Sequence, residues 1–248
     1  NTTFSSTVGG GTWSSATPGV ATVVGATGVI TGVSAGTSVM TYTVTGTGGC
    51  ADVTDTRTVT INAAPIAGTL SGTLTACVGG TTTFSSTVGG GTWSSATPGV
   101  AVIVGATGVI TGVTAGTSVM TYTVSGTGGC ADVTDTRTVT ISAAPSAGTL
   151  SGTLTACVGL TTTFSSTVGG GTWSSATPGV ATVVGATGVV TGVTAGTSVM
   201  TYTVTGTGGC ADATDTRTVT ITTAPSAGTL SGTTDACIAG NTTFSSTV

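Results

Sequence analysis

Residues 11–44 read GTWSSATPGVATVVGATGVITGVSAGTSVMTYTV, and nearly the same text returns at 91–124 and 171–204. Trp13, Trp93 and Trp173 stand 80 residues apart, as do Tyr42, Tyr122 and Tyr202. Near-identity at this period marks a tandem array of one small module, not a single catalytic domain. Within the stretch Met40, Tyr42 and Val44 alternate with Thr41, Thr43 and Thr45, the period of a half-buried strand. Val53, Val59 and Ile61 alternate in the same way with Thr54, Thr58 and Thr60. Gly- and Pro-bearing turns such as VGGG, TPG, VGATG and GTGG break the apolar runs too often for a helix of ordinary length. The expected class is all-β.

Beyond this stretch, Pro65, Pro145 and Pro225 each follow a strand that ends in Ile61, Ile141 or Ile221. Proline cannot donate to a ladder and makes a semi-rigid joint, which sets the expected boundaries. On that division 65–144 and 145–224 are complete modules of about 80 residues, 1–64 is a module without its first strands, and 225–248 holds the first strands of a following one. Residues 241–248, NTTFSSTV, are identical to residues 1–8, whereas the internal copies begin with Thr81 and Thr161. This implies a super-repeat of 240 residues. With strands rising about 3.3 Å per residue, a module should span roughly 35–45 Å and the super-repeat roughly 110–130 Å. A β-solenoid would need a much shorter internal period, and none is visible.

Composition excludes most chemistry. Lys, His, Glu and Gln are absent, and the charges are three Arg and seven Asp in 248 residues. That removes most general acids and bases, imidazole metal ligands and any lysine for an intramolecular cross-link, so neither an enzyme nor a cofactor is expected. The nearly uncharged, slightly acidic chain lacks the basic footprint of a nucleic-acid binder. No apolar run reaches the roughly 20 residues of a membrane helix, and aromatic girdles of a membrane barrel are missing, so membrane insertion is not expected.

The stretch at 11–44 resembles the bacterial immunoglobulin-like domain, group 2: a Trp-Ser-Ser strand, an Ala-Thr-Val strand, a Gly-Val-Ile/Val-Thr-Gly-Val strand, and an Ala-Gly-Thr turn into a Thr-rich strand. The resemblance implies a tandem array of immunoglobulin-like β-sandwich modules, of the kind strung along surface proteins, adhesins and secreted fibres. It also implies that Trp13, Trp93 and Trp173 are core residues of the third strand and that Phe4, Phe84, Phe164 and Phe244 pack from the strand before. Tyr42, Tyr122 and Tyr202 are expected to join them.

Two cysteines recur per period: Cys50, Cys77, Cys130, Cys157, Cys210 and Cys237. In a small module short of charge they are expected to be structural disulfides in an oxidising, extracellular compartment, since the close Cys-x-x-Cys spacing and His of a zinc site are missing. Pairing Cys77 with Cys130 and Cys157 with Cys210 would close loops of 53 residues, worth on the order of 4 kcal/mol. Cys50 and Cys237 would then pair across adjoining repeats. The alternative is a lengthwise staple from Cys77 to Cys210, because in an ideal sandwich Cys77 and Cys130 fall toward opposite ends.

Asp52, Asp55 and Arg57, with copies at Asp132, Asp135, Arg137 and Asp212, Asp215, Arg217, hold nearly all the charge. Asp55 and Arg57 share a strand face and are expected to pair locally. Two carboxylates per module fall short of the six to eight oxygens of a calcium site, so no metal is expected. Asn1 and Asn241 open Asn-Thr-Thr, the acceptor pattern for N-glycosylation.

These features imply a structural repeat of an extracellular bacterial filament or surface stalk, whose partners are copies of itself, head to tail, by covalent continuation or strand donation. An adhesin array that meets surface glycans is the alternative, although the copies differ only mildly, as where Thr22 becomes Val102 and Gly80 becomes Leu160. Rows such as Thr41, Thr43 and Thr45 also suit an ice-binding surface, but ordinary solvent-facing strands look the same.

Overall fold

The computed structural model describes residues 1–247; Val248, the last residue of the expected partial module, lies outside them. The chain forms two compact units, one ending at Ile141 and one beginning at Ser142. No helix occurs among the described residues.

The first unit holds two sandwiches. In the second repeat one sheet has the order Thr92–Ser95, Gly116–Val124, Val133–Ser142, Thr75–Cys77, and the other the order Ala101–Ile103, Val109–Gly112, Thr81–Ser86, Leu70–Gly72. The entering chain thus serves both sheets, an immunoglobulin-like order. Phe84, Trp93, Ile110, Met120, Val139 and Ile141 fill the space between them. The period of two explains this: Met120 and Tyr122 on one long strand and Val139 and Ile141 on the next share the face turned to the opposite sheet, while the alternating threonines lie on the other face.

The first repeat has the same long strands but fewer of them. Its sheets are Thr12–Ser15, Gly36–Val44, Val53–Ile61 and Thr2–Thr3, Val29–Gly32, Ala21–Val23. Ala21, Ile30, Met40 and Val59 are buried there, whereas Phe4, Trp13 and Ile61 are only half-buried.

In the second unit the third repeat has the sheet Thr155–Cys157, Ala213–Thr222, Gly196–Val204, Thr172–Ser175 facing Thr161–Thr163, Val189–Gly192 and Ala181–Val183, with Leu150–Ser151 paired to Ser165–Ser166. Beyond it, Leu230–Ser231 pairs with Ser245–Ser246 as an isolated two-stranded ribbon.

Aromatic packing follows from register. Trp93 stands opposite Tyr122, with ring centroids 4.8 Å apart, and Phe84 meets the other side of the indole at 6.0 Å. The Tyr122 hydroxyl donates to the Val88 carbonyl at 2.7 Å and accepts from the Gly91 N–H at 2.9 Å, fastening the VGGG turn. Gly91 is required by that approach, because a Cβ there would lie 2.4 Å from Cζ of Tyr122. Buried Ser118 is satisfied in turn by Ser95 Oγ at 2.9 Å and by the N–H of Thr97 at 3.3 Å.

Two expectations need correction. Phe244, expected in a core, is 61% exposed, because residues 225–247 supply only first strands and no facing sheet covers them. Nor does the structure make the bridges Cys77–Cys130 and Cys157–Cys210. Cys50, Cys130, Cys157 and Cys237 carry free thiols, while Cys77 and Cys210 are the disulfide-bonded cysteines. The cause is strand direction. Thr155–Cys157 runs parallel to Ala213–Thr222, which sets Cys157 opposite Thr222, whereas Cys210 precedes Ala213 at the other end of that strand. At about 3.3 Å per residue the separation is roughly 30 Å, far beyond the ~4–7 Å that a disulfide spans between Cα atoms.

Candidate assembly site

Strand alternation places Arg57, Arg137 and Arg217 on the same face as Val59, Val139 and Val219, so each guanidinium reaches inward from the last long strand. In the second repeat Arg137 Nη1 donates to the Leu70 carbonyl and Nη2 to the Gly72 carbonyl, both at 2.9 Å. Arg217 grips Leu150 and Gly152 at 2.7 and 2.9 Å. The planar fork suits two carbonyls on one strand, and the cation lies over Phe84 at 5.4 Å or Phe164 at 5.7 Å. Nε of each is buried without a hydrogen-bond partner. The expected local Asp–Arg pairing is therefore replaced: Asp135 instead accepts from the N–H of Thr136 at 2.8 Å, and Asp132 from that of Gly126 at 2.9 Å.

Arg57 has no such strand to hold. It is exposed, lies over Phe4 at 5.0 Å, and lines a cavity of about 240 Å³ together with Ser5, Ser6, Trp13 and Tyr42. Its counterparts in the second repeat show what fits: Leu70, Ser71 and Gly72 pair there with Ser86, Ser85 and Phe84.

A second cavity, of about 340 Å³, opens beside the end of Val53–Ile61, among Ile30, Gly32, Ile61, Asn62 and Cys130. In the later repeats this place belongs to the entering strand. Gly112 exchanges bonds with Gly79 and Gly80, at 2.9 and 3.0 Å, and Gly192 with Gly159 and Leu160 at the same distances. Gly112 and Gly192 are buried, whereas Gly32 is exposed.

Residues 225–247 are the counterpart. Leu230 is 70% exposed where Leu70 and Leu150 are 8% and 7%, and Ile238 is fully exposed. The chain thus carries one sandwich open along its first-strand side and one set of first strands without a sandwich. The open repeat and the duplicate segment are legible in the sequence; the arginine clamp is not among the sequence expectations, although Arg57 shares the parity of Val59 and Ile61. No cluster of three or more His, Cys, Asp or Glu occurs among the described residues.

The fold defines an array of immunoglobulin-like β-sandwiches. No family model and no curated protein matches the chain. Among solved structures it is similar to domains 1–6 of the surface layer protein SbsC, at 17% identity and a TM-score of 0.29, over 94% of this chain and 39% of that one. It is similar to the C-terminal fragment of intimin, solved with the intimin-binding domain of its translocated receptor, at 18% identity and TM-score 0.31, over 75% of this chain and 58% of that one. Drosophila N-cadherin EC1-4 aligns at 10% identity and TM-score 0.29, over 89% of this chain and 69% of that one. The chain therefore spans about two fifths and under three fifths of the first two structures. The sandwich assignment rests on the strand order itself.

Proposed function

We propose that the chain is the repeating unit of an extracellular bacterial filament or surface stalk, a structural and non-catalytic protein in which residues 225–240 of one copy complete the sandwich of residues 1–64 in the next. The observation that carries this reading is the match between the open first repeat and the exposed first strands. Leu230 and Gly232 hold the positions whose carbonyls, in the later repeats, bind the arginine, and Arg57 stands ready to bind them. An open sandwich edge with half-buried Phe4 and Trp13 is a state that natural β proteins cover. Because residues 241–247 duplicate 1–7, a docked copy leaves one of the two duplicates in the slot; where units follow one another in one polypeptide, the two are a single strand. Scarce charge and near-identical modules suit a passive fibre.

The test is a synthetic peptide of residues 225–240 added to the full chain. Protection of the amides of Val29–Gly32 and residues 57–62 from hydrogen exchange is expected, as is an axial repeat of roughly 110–130 Å in native material. A chain that stays monomeric, gains no protection from the peptide and shows no such repeat would overturn the reading.

A further inference from the structure

The cavity beside Asn62 holds one half of a covalent joint. Cys130 lines it, and its thiol donates to the carbonyls of Asn62 and Ala63 at 3.7 Å. The third repeat shows what an entering strand does at this place. Cys157 stands opposite Thr222, with Sγ 3.7 Å from Thr222 Oγ1, and Thr222 is the repeat equivalent of Asn62, 160 residues on. A strand seated in the same register beside residues 53–62 therefore brings a cysteine opposite Asn62, against the thiol of Cys130.

The sequence says which cysteine this is. Cys77 and Cys157 stand four residues before Thr81 and Thr161. Asn1 is the equivalent of those threonines, and Asn241 opens the same octapeptide four residues after Cys237. Cys237 is exposed and free, in a segment exposed almost throughout.

Resting on the strand-donation reading above, we infer that successive copies are cross-linked by two disulfides, Cys237 of one copy to Cys130 of the next and Cys157 of one copy to Cys50 of the next. The second pair follows from the first. In the cavity beside Asn62 an entering strand of the first repeat meets the loop cysteine of the second. One repeat further on, the entering cysteine of the third repeat, Cys157, meets the loop cysteine of the fourth, which is Cys50 of the next copy. The two positions are also those of the oxidised cysteines: Cys77 lies in an entering strand, and Cys210 is a loop cysteine whose Sγ lies 3.6 and 3.5 Å from the carbonyls of Ser142 and Ala143, where Cys130 faces Asn62 and Ala63. The four free thiols are thus consumed without remainder, and the pairing of Cys50 with Cys237 expected from sequence is replaced.

Each bond forms as two thiols lose two protons and two electrons to a disulfide oxidant, which leaves as two thiols. Strand docking sets the pair and oxidation then locks it.

The experiment is non-reducing tryptic mapping of the full chain, assembled and oxidised with glutathione disulfide, and of native filaments in parallel. Cleavage after Arg57, Arg137 and Arg217 gives four peptides. In a Cys77→Ser/Cys210→Ser background, which removes the cysteines already oxidised in the chain, residues 218–248 linked to 58–137 and residues 138–217 linked to 1–57 are expected. Cys237→Ser and Cys130→Ser should each abolish the first linkage and leave the second. Complete reduction before denaturing electrophoresis distinguishes the two forms of the joint: single units if the chains are separate, long polypeptides if they are continuous, with the same linked peptides in both. A variant with Cys50, Cys130, Cys157 and Cys237 all changed to serine separates the two proposals. If it still associates while the oxidised parent yields other pairs or free thiols, the disulfide inference fails and strand donation stands. If neither associates, the reading beneath it fails too.

Discussion

Arg137 Nη1 donates to the carbonyl of Leu70 at 2.9 Å, tying the last long strand of the second repeat to a residue 67 positions earlier. The guanidinium acts as a latch on backbone, so its value depends on whether a strand is present to be latched.

Replacing Arg137 with alanine should therefore destabilise the chain by about 1.5–3 kcal/mol, the range for hydrogen bonds to a charged group. Arg137→Lys should recover only part of this, because an ammonium cannot fork to two carbonyls. Arg57→Ala, which removes only an exposed contact with Phe4, should cost the isolated chain about 1 kcal/mol or less, yet weaken docking of the 225–240 peptide. Chemical denaturation with and without peptide checks both. Equal effects at the two arginines would contradict the latch.

Gly32 offers a test by steric exclusion. A Cβ at Gly112 would lie 2.6 Å from the Cys77 carbonyl, whereas at Gly32 it meets only the Ile61 side chain, at 2.9 Å. Gly32→Val should leave a folded chain by circular dichroism and abolish peptide docking. Gly112→Val should instead unsettle the second repeat itself.

The tyrosine pin predicts a local loss. Tyr122→Phe strands the Gly91 N–H and the Val88 carbonyl, at a cost of about 1–3 kcal/mol. Hydrogen exchange should show the change concentrated at residues 88–91.

Burial predicts an asymmetry between identical tryptophans. Trp93→Ala should cost about 3–5 kcal/mol, and Trp13→Ala distinctly less, since Trp13 is only half-buried. Adding the 225–240 peptide should narrow the gap, as followed by urea midpoints.

Much of this was written in local pattern. Period-two alternation located the long strands, and the register that sets Trp93 against Tyr122 follows from two inward-facing runs of matched parity. Arg57 obeyed the same parity and was readable as inward-facing, but charge suggested a surface pair with Asp55, and only the approach of the first strand reveals its carbonyl partners. Cysteine connectivity was legible in part: the preferred bridges within a module fail for the reason already visible in the sequence, opposite ends of the sandwich, and Cys77 and Cys210, the two cysteines of the lengthwise alternative, are the oxidised ones. The connectivity depends on the first strand running parallel to the last, which puts Cys157 beside Thr222 and a whole strand length from Cys210. Phe244 shares its text with Phe84 and differs only in having no opposing sheet, a property of neighbours and not of sequence.

That parallel pairing also decides how the chain bears tension. Thr155, Ala156 and Cys157 lie beside Thr220, Ile221 and Thr222, and a pull applied through the two ends draws these strands in opposite directions along their common axis. The ladder is loaded in shear, so its bonds must rupture together and cannot be unzipped singly. Single-molecule stretching of the reduced chain should show one high-force event for the third repeat, lowered by Ala156→Pro. Resistance to breakage would then reside in a three-residue strand.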